Sequence, residues 1–142
     1  MLQQEALAIA IPRQLHASAE VTYQLDGTFF KLFENSLLEQ GQLAVKVKLD
    51  KSPRHIQLLF KIKGEVELVC DRSLEPFYYP IAIEQVVHFK LGEEDKELDL
   101  DFYMIDQQAS TINLAQHIYD FVTLAIPMKK LHPRFKLGEE ET

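Results

Sequence analysis

The chain has 142 residues, 46% of them hydrophobic and 26% charged, with a formal net charge of −7. That length and balance suit a single domain with its own packed core and exclude wholesale disorder. No run of eighteen apolar residues is present, Met1 to Ile11 carries Glu5 but no Lys or Arg before it, and Cys70 has no second cysteine to pair with. A membrane span, a secretory leader and an internal disulfide are therefore not expected, which points to the cytoplasm.

In chain order, Gly27 to Phe33 contains Phe29, Phe30, Leu32 and Phe33, a short aromatic stretch that reads as helical with Asp26 as its cap. Leu43 to Leu49 alternates apolar and mostly polar residues, the period of a strand with one buried face. Lys51-Ser52-Pro53-Arg54 reads as a turn. The chain resumes with Ile56, Leu58, Phe60 and Ile62 on the inward parity, and the same parity continues through Val66, Leu68 and Cys70, with Gly64 read as a bulge. Asp71 to Tyr79 is expected to be a loop, Ile81 to Lys90 a strand and Gly92 to Glu97 a solvated acidic connection. A further strand is expected through Leu98, Leu100, Phe102 and Met104, with Asp99 and Asp101 facing out. Near the end, Asn113 caps an expected helix to about Ile126, with Leu114, Ile118, Phe121, Val122 and Ala125 on its apolar face and His117 on the polar side. Pro127 stops it.

These elements predict an α+β fold: an antiparallel, twisted sheet with a C-terminal helix packed on it, closure toward a barrel being left open. No repeat or linker divides the chain, so residues 1–142 are read as one domain, with a core of about 15–133 and a loose tail over 134–142.

Charge is unevenly spread. From Lys46 to Lys63 there are six basic residues (Lys46, Lys48, Lys51, Arg54, Lys61, Lys63) against Asp50 alone, whereas Glu93 to Asp106 holds seven acids against Lys96. Lys46 and Lys48 share the outward parity of one strand, Lys61 and Lys63 that of the next, with Lys51 and Arg54 at the tip. Such a hairpin suits phosphate contacts. The competing reading is a solvated strand face that discourages edge pairing, with Glu65, Glu67 and Glu84 neutralising part of it.

The segment Val69 to Phe77, followed by Pro80, resembles the Cys-x-Arg-Cys-Leu-x-x-Phe pattern of the YceD family of bacterial large-subunit ribosomal RNA accumulation proteins, through Cys70, Arg72, Leu74, Phe77 and Pro80. Ile112-Asn113-Leu114-Ala115 and Leu124-Ala125-Ile126-Pro127-Met128-Lys129 resemble that family's C-terminal pattern, so the resemblance spans roughly Leu15 to Pro133. The family's second cysteine is Ser73 here, and where some members add a further cysteine pair this chain has Lys130 to Arg134. Structural zinc needs about four N or S ligands, so no metal and no cofactor are expected. Cys70 reads as a small buried hydrophobe. Arg72 is left with two readings: recognition of phosphate or carboxylate, or loop closure with Asp71, Glu75 or backbone carbonyls. Phe77 is read as packing the loop, with base stacking open for one of Tyr78 and Tyr79.

No catalytic residue is assigned. Nucleotide-loop, zinc-protease and nucleophile-elbow motifs are absent. The resemblance implies a non-enzymatic factor in large-subunit ribosomal RNA accumulation, partnered by precursor RNA or a basic ribosomal protein, with neither DNA nor membrane as a partner. The alternative is an acidic interaction module that binds a basic partner without touching RNA. A cysteine-dependent enzyme ranks last.

Overall fold

The computed structural model describes residues 7–33, 36 and 38–127. Eight strands and two helices follow one another along it: β1 (Ala8–Ala10), β2 (Ala17–Leu25), α1 (Gly27–Phe30), β3 (Gly41–Ser52), β4 (His55–Val69), β5 (Pro76–Gly92), β6 (Lys96–Asp99), β7 (Phe102–Asp106), β8 (Thr111–Asn113) and α2 (Ala115–Leu124). Six strands form one sheet in the order β2-β3-β4-β5-β7-β6, and β1 pairs with β8 in a separate ribbon.

The long hairpins arise from the alternation in the sequence. Leu43, Val45, Val47 and Leu49 of β3, with Ile56, Leu58, Phe60 and Ile62 of β4, are buried on one face. In β5, Phe77, Ile81, Val87 and Phe89 join them. Because side chains in a strand alternate, every intervening residue is turned to the other face. The inner face is covered by α2, by the β1–β8 ribbon and by α1, whose Phe29 and Phe30 are fully buried in the same core cluster as Leu7, Ile9, Ile112, Leu114 and Ile118. Asp26 caps α1 as expected, its Oδ1 accepting from the Thr28 amide at 2.9 Å. At α2 the expected cap is displaced by one residue: Leu114 is the N-cap and makes no side-chain cap bond, while Asn113 Oδ1, one residue earlier, accepts the Ala115 amide at 2.9 Å. Burial of Ile118, Phe121 and Val122 against the sheet holds α2 in place, at roughly 1.5–3 kcal/mol for each side chain.

Several expectations are corrected. The fold is mostly β rather than a balanced α+β, since the two described helices span only Gly27–Phe30 and Ala115–Leu124. The sheet is mixed, because β7 runs parallel to β5 while lying between β5 and β6. It is open rather than a closed barrel: among the described strands, β2 and β6 are edges. The β5–β7 pairing covers only His88 to Gly92, so the sheet narrows there, and its inner face is already filled.

The expected strand through Leu98 to Met104 is instead a hairpin. Its reversal falls at Leu100 and Asp101, the latter at φ 56°. Asp99 Oδ1 accepts the Leu100 amide at 2.8 Å, and Asp tolerates both the local bond and the left-handed conformation. Asp101 does not simply face water: its Oδ2 accepts from Gln85 Nε2 at 2.8 Å and its carbonyl from the His88 amide at 2.9 Å. The reversal makes Ile105 the buried residue of β7 and leaves Leu98 and Leu100 exposed.

Gly64 is not a bulge, because the β3–β4 register runs through Leu43↔Gly64 unbroken. Its φ is +154°, and a Cβ there would strike the Gln42 carbonyl. Glycine is required by close approach of two strands.

β5 begins at Pro76, so the expected loop to Tyr79 is shorter and Pro80 lies within the strand. No described strand lies beyond residues 76–87 of β5, so a proline whose amide position faces that way sacrifices no ladder bond. The strands β1, β2 and β8 were not anticipated from the sequence, and β1 carries the core ahead of Leu15. The tail over 134–142, Met128, Lys129 and the segment Lys130 to Arg134 lie outside the described residues.

Candidate functional site

Two features drawn from the sequence can be located: the loop that follows β4 and the lysine-bearing face of the sheet. The loop is compact. Cys70 is fully buried, its amide donates to the Glu75 carbonyl at 2.8 Å, and its carbonyl accepts from the Leu74 amide at 2.8 Å. Its Sγ accepts from the Ser73 amide at 3.4 Å. Leu74 completes the turn at φ 63° and is 75% exposed. A leucine in the left-handed region is strained, and it is held there by the hydrogen bonds on either side. Asp71 and Arg72 are exposed, Phe77 is buried as a packing residue, and Pro80 is exposed on the strand. The loop thus encloses its thiol, and Cys70 acts as a buried acceptor that shapes the turn.

The two tyrosines separate by parity. Tyr79 is half-buried against the core, whereas Tyr78 stands on the outer face and is 54% exposed. Of the pair, Tyr78 is the one placed to stack.

The outer face collects Lys46, Lys48, Lys61 and Lys63, all exposed. Lys46 and Lys61 are direct cross-strand partners, and Lys63 is opposite Ala44. Like charges placed opposite each other on a sheet are destabilising, so this pair is a local cost to the fold. Lys61 Nζ lies 3.6 Å from its register partner Glu84 on β5, and Glu20 is paired in register with Lys48. Among the described residues, no carboxylate lies within 4.0 Å of the Lys46 or Lys63 ammonium. A shallow depression of about 320 Å³ runs between Thr22, Gln24, Ala44, Lys46, Lys61 and Lys63. Among the described residues that line it there is no acid.

Lys51 and Arg54 do not join this cluster. Lys51 has the inward parity of β3, and its Nζ donates to the Pro12 carbonyl at 2.7 Å. It ties down the connection between β1 and β2. Arg54 is exposed in the β3–β4 turn, with its carbonyl accepting the Leu91 amide at 3.0 Å. At that end of the same outer face, His55 Nε2 and His88 Nδ1 are 3.1 Å apart. Burial, and then the neighbouring His88, hold His55 below the usual histidine range.

His117 departs from its expected place on a polar helix face. It is packed among the rings of Phe60, Phe89, Tyr103 and Phe121, at centroid distances of 5.2 to 6.4 Å. Burial depresses its pKa, opposed by the charges of Asp120, Asp101 and Glu97. The signal was present in the spacing, since His117 is three residues from Leu114 and four from Phe121, both on the apolar face.

The fold and its surfaces define a small, mostly β protein with one face of an open sheet packed and the other polar and lysine-bearing. A model of the family described as "Large ribosomal RNA subunit accumulation protein YceD" matches residues 58–142. The chain belongs to that family. It is also similar to an uncharacterised Bacillus subtilis (strain 168) protein, YlbN, at 24% identity over 120 residues, which covers 82% of this chain and 69% of the relative. No solved structure matches. No described helix is long and apolar enough to cross a membrane.

Proposed function

We propose that the protein is a non-enzymatic factor in large-subunit ribosomal RNA accumulation, and that it contacts RNA through the outer face of its sheet. The family description supplies the process. The observation that carries the RNA contact is the Lys46–Lys61 cross-strand pair, with Lys63 beside it, around a depression in which none of the described lining residues is a carboxylate. Glu84 already meets Lys61, so the ammonium groups of Lys46 and Lys63 are the ones left for an external anion. With a total charge of −7, such contact is local and salt-sensitive rather than general.

The test is binding of purified protein to fragments of large-subunit ribosomal RNA over a salt series. Lys46→Glu with Lys63→Glu is expected to weaken binding and flatten the salt slope by about 0.7–0.9 for each phosphate that is no longer neutralised. Undiminished binding would remove the lysine face from the reading. One observation favours a second reading, a basic protein as partner: the β6 edge exposes Glu97 and Asp99 beside Leu98 and Leu100. Co-purification with a basic ribosomal protein, together with no RNA binding at any salt, would select it.

A further inference from the structure

A second concavity, of about 420 Å³, lies on the same outer face, further along β3 and β4 from the lysines. Its walls include Tyr78, Glu65, Gln40, Gln42 and Lys31. The register explains how they meet. Gln42 is the cross-strand partner of Glu65, and Tyr78, opposite Glu67, is Glu65's diagonal neighbour on β5. Diagonal neighbours lie within reach of long and aromatic side chains. Asp26, also at the rim, is already engaged, its Oδ1 accepting from both the amide and the hydroxyl of Thr28.

The chemistry of this wall is specific in kind. An exposed tyrosine ring is a stacking platform for any base. An ionised carboxylate accepts hydrogen bonds and cannot donate them, whereas glutamine amides do both. The carboxylate therefore repels a phosphate but suits a base edge rich in N–H donors. Guanine presents two adjacent donors on its Watson–Crick edge and an acceptor beside them, while uracil presents one donor between two acceptors. Such edges are free to be read only in single-stranded RNA. From Gln42 the strand leads by alternate residues to Ala44 and Lys46, about 13 Å away at roughly 3.3 Å per residue, and Lys63 stands opposite Ala44. That is within reach of a short extended strand.

We propose that this concavity receives a guanine base of single-stranded RNA, stacked on Tyr78 and read by Glu65, with the adjoining phosphates on Lys63 and Lys46. The proposal deepens the RNA-binding reading of the lysine face and rests on it. The test is fluorescence anisotropy at low salt with labelled single-stranded oligonucleotides of about ten nucleotides, within the range of single-strand sites. One is all uridine and the other carries a central guanosine. The guanosine oligonucleotide is expected to bind several-fold more tightly. Tyr78→Ala should weaken it about tenfold, Tyr78→Phe should retain it, and Glu65→Gln should remove the guanosine preference. Tyr78 is exposed, so these variants are expected to melt as the parent does. If Tyr78→Ala binds unchanged while Lys46→Glu with Lys63→Glu weakens binding, the base pocket is overturned and the lysine face stands. Equal binding of the two oligonucleotides by the parent overturns the guanine assignment. Absence of all RNA binding overturns both readings.

Discussion

Gly64 offers a test of how closely the two central strands are packed beneath the candidate site. The residue has φ +154°, and an added Cβ would meet the carbonyl oxygen and carbon of Gln42 and the Cα of Leu43, all backbone atoms. Backbone cannot swing aside as a side-chain tip can, so Gly64→Ala must bend β3 away from β4 or shift φ. A residue forced into a glycine-only region costs on the order of 1–3 kcal/mol, and displacement of the ladder adds to that, so a total loss of about 3 kcal/mol or more is expected. For a chain of this size the melting temperature should fall by roughly 10 °C. Gly92→Ala is the matched control. There the obstacle is Met104 Sδ, 2.5 Å from the added Cβ, on a flexible thioether that can turn away. Its cost should stay below about 1 kcal/mol. Urea denaturation and thermal circular dichroism of the two variants measure the contrast. If Gly64→Ala is as stable as the parent, or if both glycines cost the same, the argument from backbone approach is refuted.

Two further outcomes follow from buried groups. His117 and His55 are both held below the ordinary histidine value of 6.5 chiefly by burial. Just below that pH the unfolded chain therefore binds more protons than the folded one. Stability should be fully present above pH 6.5 and decline as pH falls below it, by at most about 1.4 kcal/mol per pH unit for each group. Urea midpoints from about pH 7.5 to about pH 5.5 should show this decline, and His117→Leu should make it shallower; an unchanged slope would exclude His117 as a contributor. Cys70 should resist a thiol reagent in the folded protein and react fully once denatured, because its thiol is buried and engaged by the Ser73 amide. Cys70→Ala should cost about 1–2 kcal/mol through poorer packing and the missing acceptor, and rapid, complete labelling of the folded protein would contradict this placement.

What was legible in the sequence and what was not divides along a physical line. Period-2 alternation fixes which face each residue of β3, β4 and β5 presents, so the inward set from Leu43 to Phe89 and the outward lysines 46, 48, 61 and 63 could be read directly. The cap at Asp26, the turn at Pro53 and the buried Cys70 were legible too, because each depends on neighbours in the chain. The same alternation runs through Ala17 to Leu25, where Ala19, Val21 and Tyr23 pack on the core side, so β2 was readable too.

Tertiary structure decided the rest, because it depends on pairings between residues far apart in sequence. No local pattern tells that β7 inserts parallel to β5, or that the apolar parity of Leu98 and Leu100 ends on the solvent side of a reversal. Lys51 shows the limit most plainly. In the sequence it belongs to the same basic run as Lys48, but its inward parity and the Pro12 carbonyl, 39 positions away in the chain, remove it from the lysine face. Conversely, Glu65, Gln42 and Tyr78 share no motif, and only the register of three strands makes them one wall.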